Sequence, residues 1–203
     1  DARFFRISAS DYQASLIAPA LARALNAAPL VDVDLRPSGD GVEAVRRGTV
    51  TLALITGSEP AAGFLPRHIC TDPFCVLYDP GHGTAPDGLA DFAARDFVQA
   101  APSGLRGGAV DSALADHGLT RRVRVMAGPL TLAGRLVQGT AAMAVLPETL
   151  ARMFVPLGLA TAPLPLDIAP ATTWLIRSQR PAGDIAVDWL VDRLAPQSLR
   201  GKA

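Results

Sequence analysis

Phe4-Phe5-Arg6-Ile7, Val31-Asp32-Val33-Asp34-Leu35 and Leu52-Ala53-Leu54-Ile55 are the stretches that decide the fold. The second alternates apolar and acidic side chains with a period of two, the mark of a half-buried strand. The third is an unbroken apolar run, as expected for a parallel strand covered on both faces. Between them the spacing is helical. Leu16, Ile17, Leu21 and Leu25 fall on one face of a helix, and a shorter helix runs from Gly41 to Arg47 before Gly48 ends it. The order β-α-β-α-β within the first 56 residues predicts an open, doubly wound α/β layer.

Working outward, His68–Cys70 and Phe74–Tyr78 read as strands that lead to the turn Asp79-Pro80-Gly81-His82-Gly83. A second alternation follows: helix Leu89–Arg95, strand Phe97–Ala101, helix Val110–His117, strand Val123–Ala127, helix Leu130–Gln138, strand Ala142–Leu146 and helix Glu148–Phe154. Pro163-Leu164-Pro165 is a break, after which Thr172–Ile176 is a strand and Ile185–Leu194 a helix. Two alternating blocks plus a returning strand and helix predict two α/β lobes, two crossings and a ligand cleft between the lobes.

The 203 residues carry 19 basic and 19 acidic side chains and are 49% hydrophobic. A domain that grips DNA normally shows a basic stripe, because phosphate contacts supply much of its affinity. Here basic residues occur in short clusters, Arg46-Arg47 and Arg121-Arg122-Val123-Arg124, read as solvated ends of helices and strands. No apolar run approaches the ~18–20 residues that span a bilayer, so no membrane partner is expected. The chain opens Asp1-Ala2-Arg3-Phe4, directly before a strand, and two cysteines, Cys70 and Cys75, make no disulfide framework. They read as small fillers of adjacent strands, with a redox pair as the alternative, and a cytoplasmic location is expected.

Catalytic patterns do not stand out. His68, His82 and His117 lack metal-ligand spacing, and neither a nucleophile elbow nor a phosphate-loop lysine is present. Ser103-Gly104-Leu105-Arg106-Gly107-Gly108 is glycine-rich without the dinucleotide spacing. No cofactor, no metal and no enzymatic activity are expected. The polar turns are more informative. Ser8-Ala9-Ser10-Asp11-Tyr12, Pro37-Ser38-Gly39-Asp40, Thr56-Gly57-Ser58, Pro102-Ser103-Gly104 and Gly128-Pro129-Leu130-Thr131 all follow strands, most of them ahead of helices. Ligands of open α/β layers sit at these ends, where free N–H groups favour a carboxylate or similar anion. Taken singly, Ser10, Ser38, Ser103 and Thr131 are equally placed as helix N-caps.

Phe5-Arg6-Ile7-Ser8-Ala9-Ser10-Asp11-Tyr12, Leu35-Arg36-Pro37-Ser38, Leu52-Ala53-Leu54 and the turn Pro80-Gly81-His82 resemble the effector-binding domain of LysR-type transcription regulators. Gly108–Leu114, Gly118-Leu119, Arg121-Arg122-Val123, Ala144-Val145-Leu146-Pro147 and the Trp189-Leu190 helix continue the resemblance in order, nearest the nodulation and nitroaromatic-responsive branch. The resemblance implies a type 2 periplasmic-binding-protein-like fold, two lobes joined by two crossover strands. Lobe I would comprise 1–79 and 168–203 and lobe II 80–167, with the N-terminal winged helix-turn-helix absent from this chain. It further implies a small carboxylate or aromatic inducer in the cleft, homo-oligomers (dimer or tetramer), and promoter DNA contacted only through the missing N-terminal domain. By position, the ligand residues would be Ser10, Asp11, Tyr12, Thr56, Gly57, Ser103, Gly107, Pro129, Leu130, Thr131 and Thr173. Gly107 and Pro129 stand where aromatic-acid responders have bulky or histidine contacts, leaving room for a larger ligand. Two competing readings are a transporter's solute-binding protein, with the same fold, and an α/β enzyme.

Overall fold

The computed structural model describes residues 2–37, 39–60, 62–100, 108–179 and 184–195. Backbone contacts divide the chain into unit 1, Asp1–Thr71 with Thr172–Ala203, and unit 2, Asp72–Ala171. The sequence drew its boundaries at 79/80 and 167/168, so 72–79 and 168–171 are assigned differently here.

In chain order, unit 1 begins with β1 (Arg3–Ser8), α1 (Asp11–Ala27), β2 (Val31–Arg36), α2 (Gly41–Arg46), β3 (Leu52–Thr56) and β4 (Phe64–Asp72). Unit 2 holds β5 (Phe74–Tyr78), α3 (Gly88–Ala94), β6 (Asp96–Ala100), α4 (Ala109–Asp116), β7 (Arg122–Ala127), α5 (Leu130–Val137), β8 (Ala144–Pro147), α6 (Glu148–Ala151) and β9 (Ala160–Pro163). The chain then returns to unit 1 through β10 (Ala171–Ser178) and α7 (Ile185–Leu194).

Unit 1 is a five-stranded sheet ordered β2-β1-β3-β10-β4. β1 runs parallel to β2 and β3, and β10 enters antiparallel, pairing Thr173 with Thr56 and Leu175 with Leu54. The unbroken apolar run in β3 has the expected cause. Leu52 and Leu54 pack with Phe5, Ile7, Leu175, Ile17 of α1 and Leu190 of α7, while Ala53 joins Val45 of α2 and Ile176 on the other face. Burying such side chains contributes roughly 1.5–3 kcal/mol each, which holds the layers together.

Unit 2 has a three-stranded sheet, β8-β5-β9, and a parallel pair, β6-β7. Val98 N donates to Met143 O at 2.8 Å and Met143 N to Asp96 O at 2.9 Å, tying β6 to the segment that enters β8. Phe92, Phe97, Leu114 and Met143 form its core, with Phe92 and Phe97 edge to face at 4.9 Å. Two expectations change. The helix over Glu148–Phe154 stops at Ala151 and becomes a 3-10 turn, Arg152–Leu157, interrupted by Pro156. The break expected at Pro163-Leu164-Pro165 begins one residue late, because Ala160–Pro163 is a strand paired with β5; Pro163 is tolerated there because β9 is an edge.

Short polar ties fix the loops of unit 2. Gly139 N and Gly81 N donate to the Asp79 carboxylate at 2.7 and 2.8 Å. These two bonds, the Gly139 one first, and then the nearby His82 hold the Asp79 carboxyl below its usual 3.8. A lowered folded-state pKa adds stability above the unfolded value, and that stability is lost as pH falls through the folded value. The Gly139 amide resonance is therefore expected to titrate with a midpoint below 3.8; a midpoint at or above the ordinary carboxylate value contradicts this tie. Packing yields a second expectation. A Cβ on Gly134 of α5 would overlap the buried ring of Phe154. Gly134→Ala should cost ~1–3 kcal/mol in denaturant melts despite the better helix propensity of alanine; an unchanged or raised midpoint refutes the overlap.

Candidate functional site

The carboxyl ends of β1 and β3 and the amino end of β10 meet the amino end of α1 in one polar cluster within unit 1. Ser10 is the N-cap of α1 and forms a capping box: its Oγ accepts from Gln13 N at 3.3 Å, and Gln13 Oε1 accepts from Ser10 N at 2.8 Å. The same Gln13 amide turns outward from the helix, and Nε2 donates to Thr56 Oγ1 at 3.0 Å. Thr56 Oγ1 lies 3.3 Å from Thr173 Oγ1, a hydroxyl on a residue with no solvent exposure. Beside them Gly57 N donates to Thr172 O at 2.9 Å, and Trp174 Nε1 donates to Gly57 O at 3.2 Å. Tyr12 is buried and Asp11 half-buried in the first turn of α1. The cluster thus grades from the buried Thr173 and Gln13 to the solvent-exposed Thr56 and Gly57.

Ser10, Asp11, Tyr12, Thr56, Gly57 and Thr173 are therefore brought together as one group. Pro129, Leu130 and Thr131 form the start of α5 in unit 2, where Pro129 is the N-cap and supplies no side-chain cap bond. Ser103 and Gly107, like Ser38, lie outside the described residues. Gln13 was missed. Ser10-x-x-Gln13 is a capping-box spacing and signals the helix start, but its bond to Thr56, 43 positions away, carries no local signature. Arg121, read as one of a solvated cluster, has a side chain only 4% exposed and pairs with Asp111 at 2.9 Å. Strand neighbours Arg122 and Arg124 are exposed as expected.

A larger hollow of about 570 Å³ lies at the amino end of β1 and β3, lined by Arg6, Arg46, Arg47 and Arg177. Glu43 engages Arg46 and Arg47, Asp188 engages Arg177, Asp34 engages Arg6, and the carboxyl end of α2 points a negative dipole there. Those arginines are accounted for as structural partners. Among the described residues there is no cluster of three or more potential metal ligands, and no helix long and apolar enough to cross a membrane.

Residues 2–198 match the family model described as the LysR substrate binding domain. The chain belongs to that family. A relative, the transcriptional activator NagR of a Ralstonia species, is 29% identical over 197 residues, covering 93% of this chain and 64% of its own. The chain thus spans less than two thirds of that relative. Among solved structures, probable transcriptional regulator PA0477 of Pseudomonas aeruginosa superposes with a TM-score of 0.83 at 28% identity, over 95% of this chain and 67% of that one. The regulatory domain of MexT, a transcriptional activator of the same organism, gives 0.81 at 22% identity over 95% and 96%. The fold is accordingly that of LysR effector-binding domains, type 2 periplasmic-binding-protein-like, and the relatives are regulators rather than transporter components.

Within this LysR domain neither Cys70 nor Cys75 is in a disulfide. Cys75 is buried in β5, and burial first, then Glu148 and Asp72, push its thiol up to about 12. The thiolate is the reactive form, so Cys75 should resist a thiol reagent at pH 8 until the protein unfolds. Rapid labelling of Cys75 in the native state, located by mass spectrometry, would overturn that assignment. Thr173→Val removes a buried hydroxyl without changing shape and is expected to cost about 1 kcal/mol or less, because Thr56 is exposed and can turn to water. Gln13→Leu should cost more, ~1–3 kcal/mol, since it breaks the capping box and takes the acceptor from Ser10 N. Equal midpoints for the two variants in chemical denaturation would argue against a central role for Gln13.

Proposed function

We propose that this LysR domain senses a small organic anion, a carboxylate or an aromatic acid. Binding would change how the full-length regulator, as a dimer or tetramer, occupies promoter DNA through a separate N-terminal domain. The observation that carries this reading is the Ser10–Gln13–Thr56–Thr173 cluster, in which hydroxyls and a helix amino end share one end of the mixed sheet. Such an edge favours negative charge through the helix dipole. The proposed ligand residues are Ser10, Asp11, Tyr12, Thr56, Gly57 and Thr173 from unit 1 and Ser103, Gly107, Pro129, Leu130 and Thr131 from unit 2. No catalytic role is assigned to any of them. Regulation then follows by linkage: the ligand shifts an equilibrium by no more than its differential affinity for the two states.

A thermal-shift screen against small aromatic and aliphatic carboxylates tests the reading. A ligand at ~100 times its Kd adds roughly 2.7 kcal/mol of stability. Thr131→Ala is expected to weaken any such hit in calorimetry while the fold persists. Ser10→Ala should do the same, but it also removes an N-cap worth ~0.5–2 kcal/mol, so its affinity, not its melting point, is the informative quantity. A hit whose affinity neither change alters would move the site elsewhere. A panel with no stabilising carboxylate would count against an anion sensor.

A further inference from the structure

Gly57 follows β3 at a φ of +134°, a backbone shape that favours glycine, and the space where a Cβ would stand is open. Little packs against it on that side, so its position rests on hydrogen bonds. Both of its backbone groups are bound by β10: Gly57 N donates to Thr172 O, and Gly57 O accepts from the Trp174 indole. The second partner is a side chain, so its grip depends on how the indole is set. The imidazole of His68 on β4 stands nearly perpendicular to that ring, 73° between planes and 5.3 Å between centres. Its other attachment is Thr71, whose Oγ1 lies 3.0 Å from His68 Nε2. Thr71 Oγ1 in turn lies 3.4 Å from Thr172 Oγ1, a long contact between the residues at which the chain leaves and re-enters unit 1. His68 therefore meets both the ring that holds Gly57 and the strands that carry the chain out of unit 1 and back.

Imidazole is the side chain that ordinarily changes charge within about pH 5–8. An added proton has two consequences here. Nε2 must then donate to Thr71, which frees the Thr71 hydroxyl proton for Thr172. The imidazolium is also attracted to the indole, as cations within ~6 Å of an aromatic ring are. It draws electron density from the ring and makes Nε1–H a stronger donor to Gly57 O. Charges on the adjoining elements are engaged elsewhere. β3 carries no titratable side chain, Arg177 of β10 pairs with Asp188, and Arg67 beside His68 pairs with Asp192. On α2, which packs on the Trp174 face through Val45, Asp40 caps the start and Glu43 binds Arg46 and Arg47. Asp72 at the end of β4 accepts from Thr149 N, and Glu59, two residues beyond Gly57, is exposed.

We propose that His68 is a positioning residue for the effector edge: it holds Gly57 through Trp174, and taking up a proton tightens that hold. The assignment rests on the effector-sensing reading and adds pH as a regulator of that site. As pH falls through the His68 midpoint, affinity for an anion at the Thr56–Gly57 edge should rise several-fold. The turn is then firmer, and a positive charge stands nearby.

NMR of the ligand-free chain between about pH 5 and 8 tests the tie. The His68 ring, the Trp174 indole N–H and the Gly57 amide should shift with one midpoint, while the Trp189 indole on α7 stays still. His68→Gln keeps a polar partner for Thr71 but takes up no proton, so the Trp174 and Gly57 shifts should be lost. In Trp174→Phe, His68 should still titrate and Gly57 should no longer follow it. A flat Gly57 amide across the wild-type titration overturns the proposal, as does a Gly57 shift of the same midpoint that survives in either variant. The two readings also separate. A carboxylate hit from the screen whose affinity is equal on both sides of the His68 midpoint removes the regulation and keeps the sensor. Coupled titration of His68, Trp174 and Gly57 beside an empty carboxylate screen keeps the tie and removes the sensor.

Discussion

The Gln13 side chain is buried, and a buried amide must have its donors and acceptor met or it costs the fold several kcal/mol. It meets them by binding in two directions, back to Ser10 on its own helix and across to Thr56 on β3. That double attachment fixes where α1 starts relative to the central strand of the sheet. Thr173, contributed by the chain's return through β10, completes the row. A residue near the beginning of the sequence and another about 160 positions later are thereby held at one strand edge.

The polar edge and the apolar layers depend on each other. Leu52, Leu54, Ile7 and Leu175 lock the register of β1, β3 and β10 beneath α1 and α7, with Ser8 at the end of β1 paired with Ala53 and β3 running on to Thr56. Where that packing ends, backbone groups face outward and the chain supplies hydroxyl and amide side chains in place of more apolar ones. Unit 2 shows the same economy with charge. Arg121 is admitted to its interior by Asp111 and Phe97, and Asp72 beside the crossing accepts from Thr149 N at the start of α6. Each unit thus carries its own core and its own polar strand ends, which is the arrangement a two-lobed sensor requires.

Much of this was legible from the residues. The alternation in Val31–Leu35 and the apolar run Leu52–Ile55 predict strands that the structure contains, and the turn positions after β1 and β3 lead to Ser10, Thr56 and Gly57. Thr173 entered by resemblance to the LysR family, not by local pattern. What escaped was non-local. The reach of Gln13 to Thr56 depends on how α1 packs on the sheet, and the burial of Arg121 depends on Asp111 lying one helix away. An Arg-Arg-Val-Arg run reads as solvated because three of its four residues cannot reveal which single guanidinium faces inward. β9 escaped because Pro163 suggested a break, whereas an edge strand loses nothing by lacking that N–H.

Hydrogen exchange of the full chain, with and without the first carboxylate found to stabilise it, tests the account most directly. The account predicts slowed exchange in two places at once: the start of α1 with Thr56-Gly57 and Thr172–Trp174 in unit 1, and the starts of α4 and α5 in unit 2. Protection confined to the arginine-lined hollow at the opposite end of β1 and β3, or to one unit alone, would contradict it.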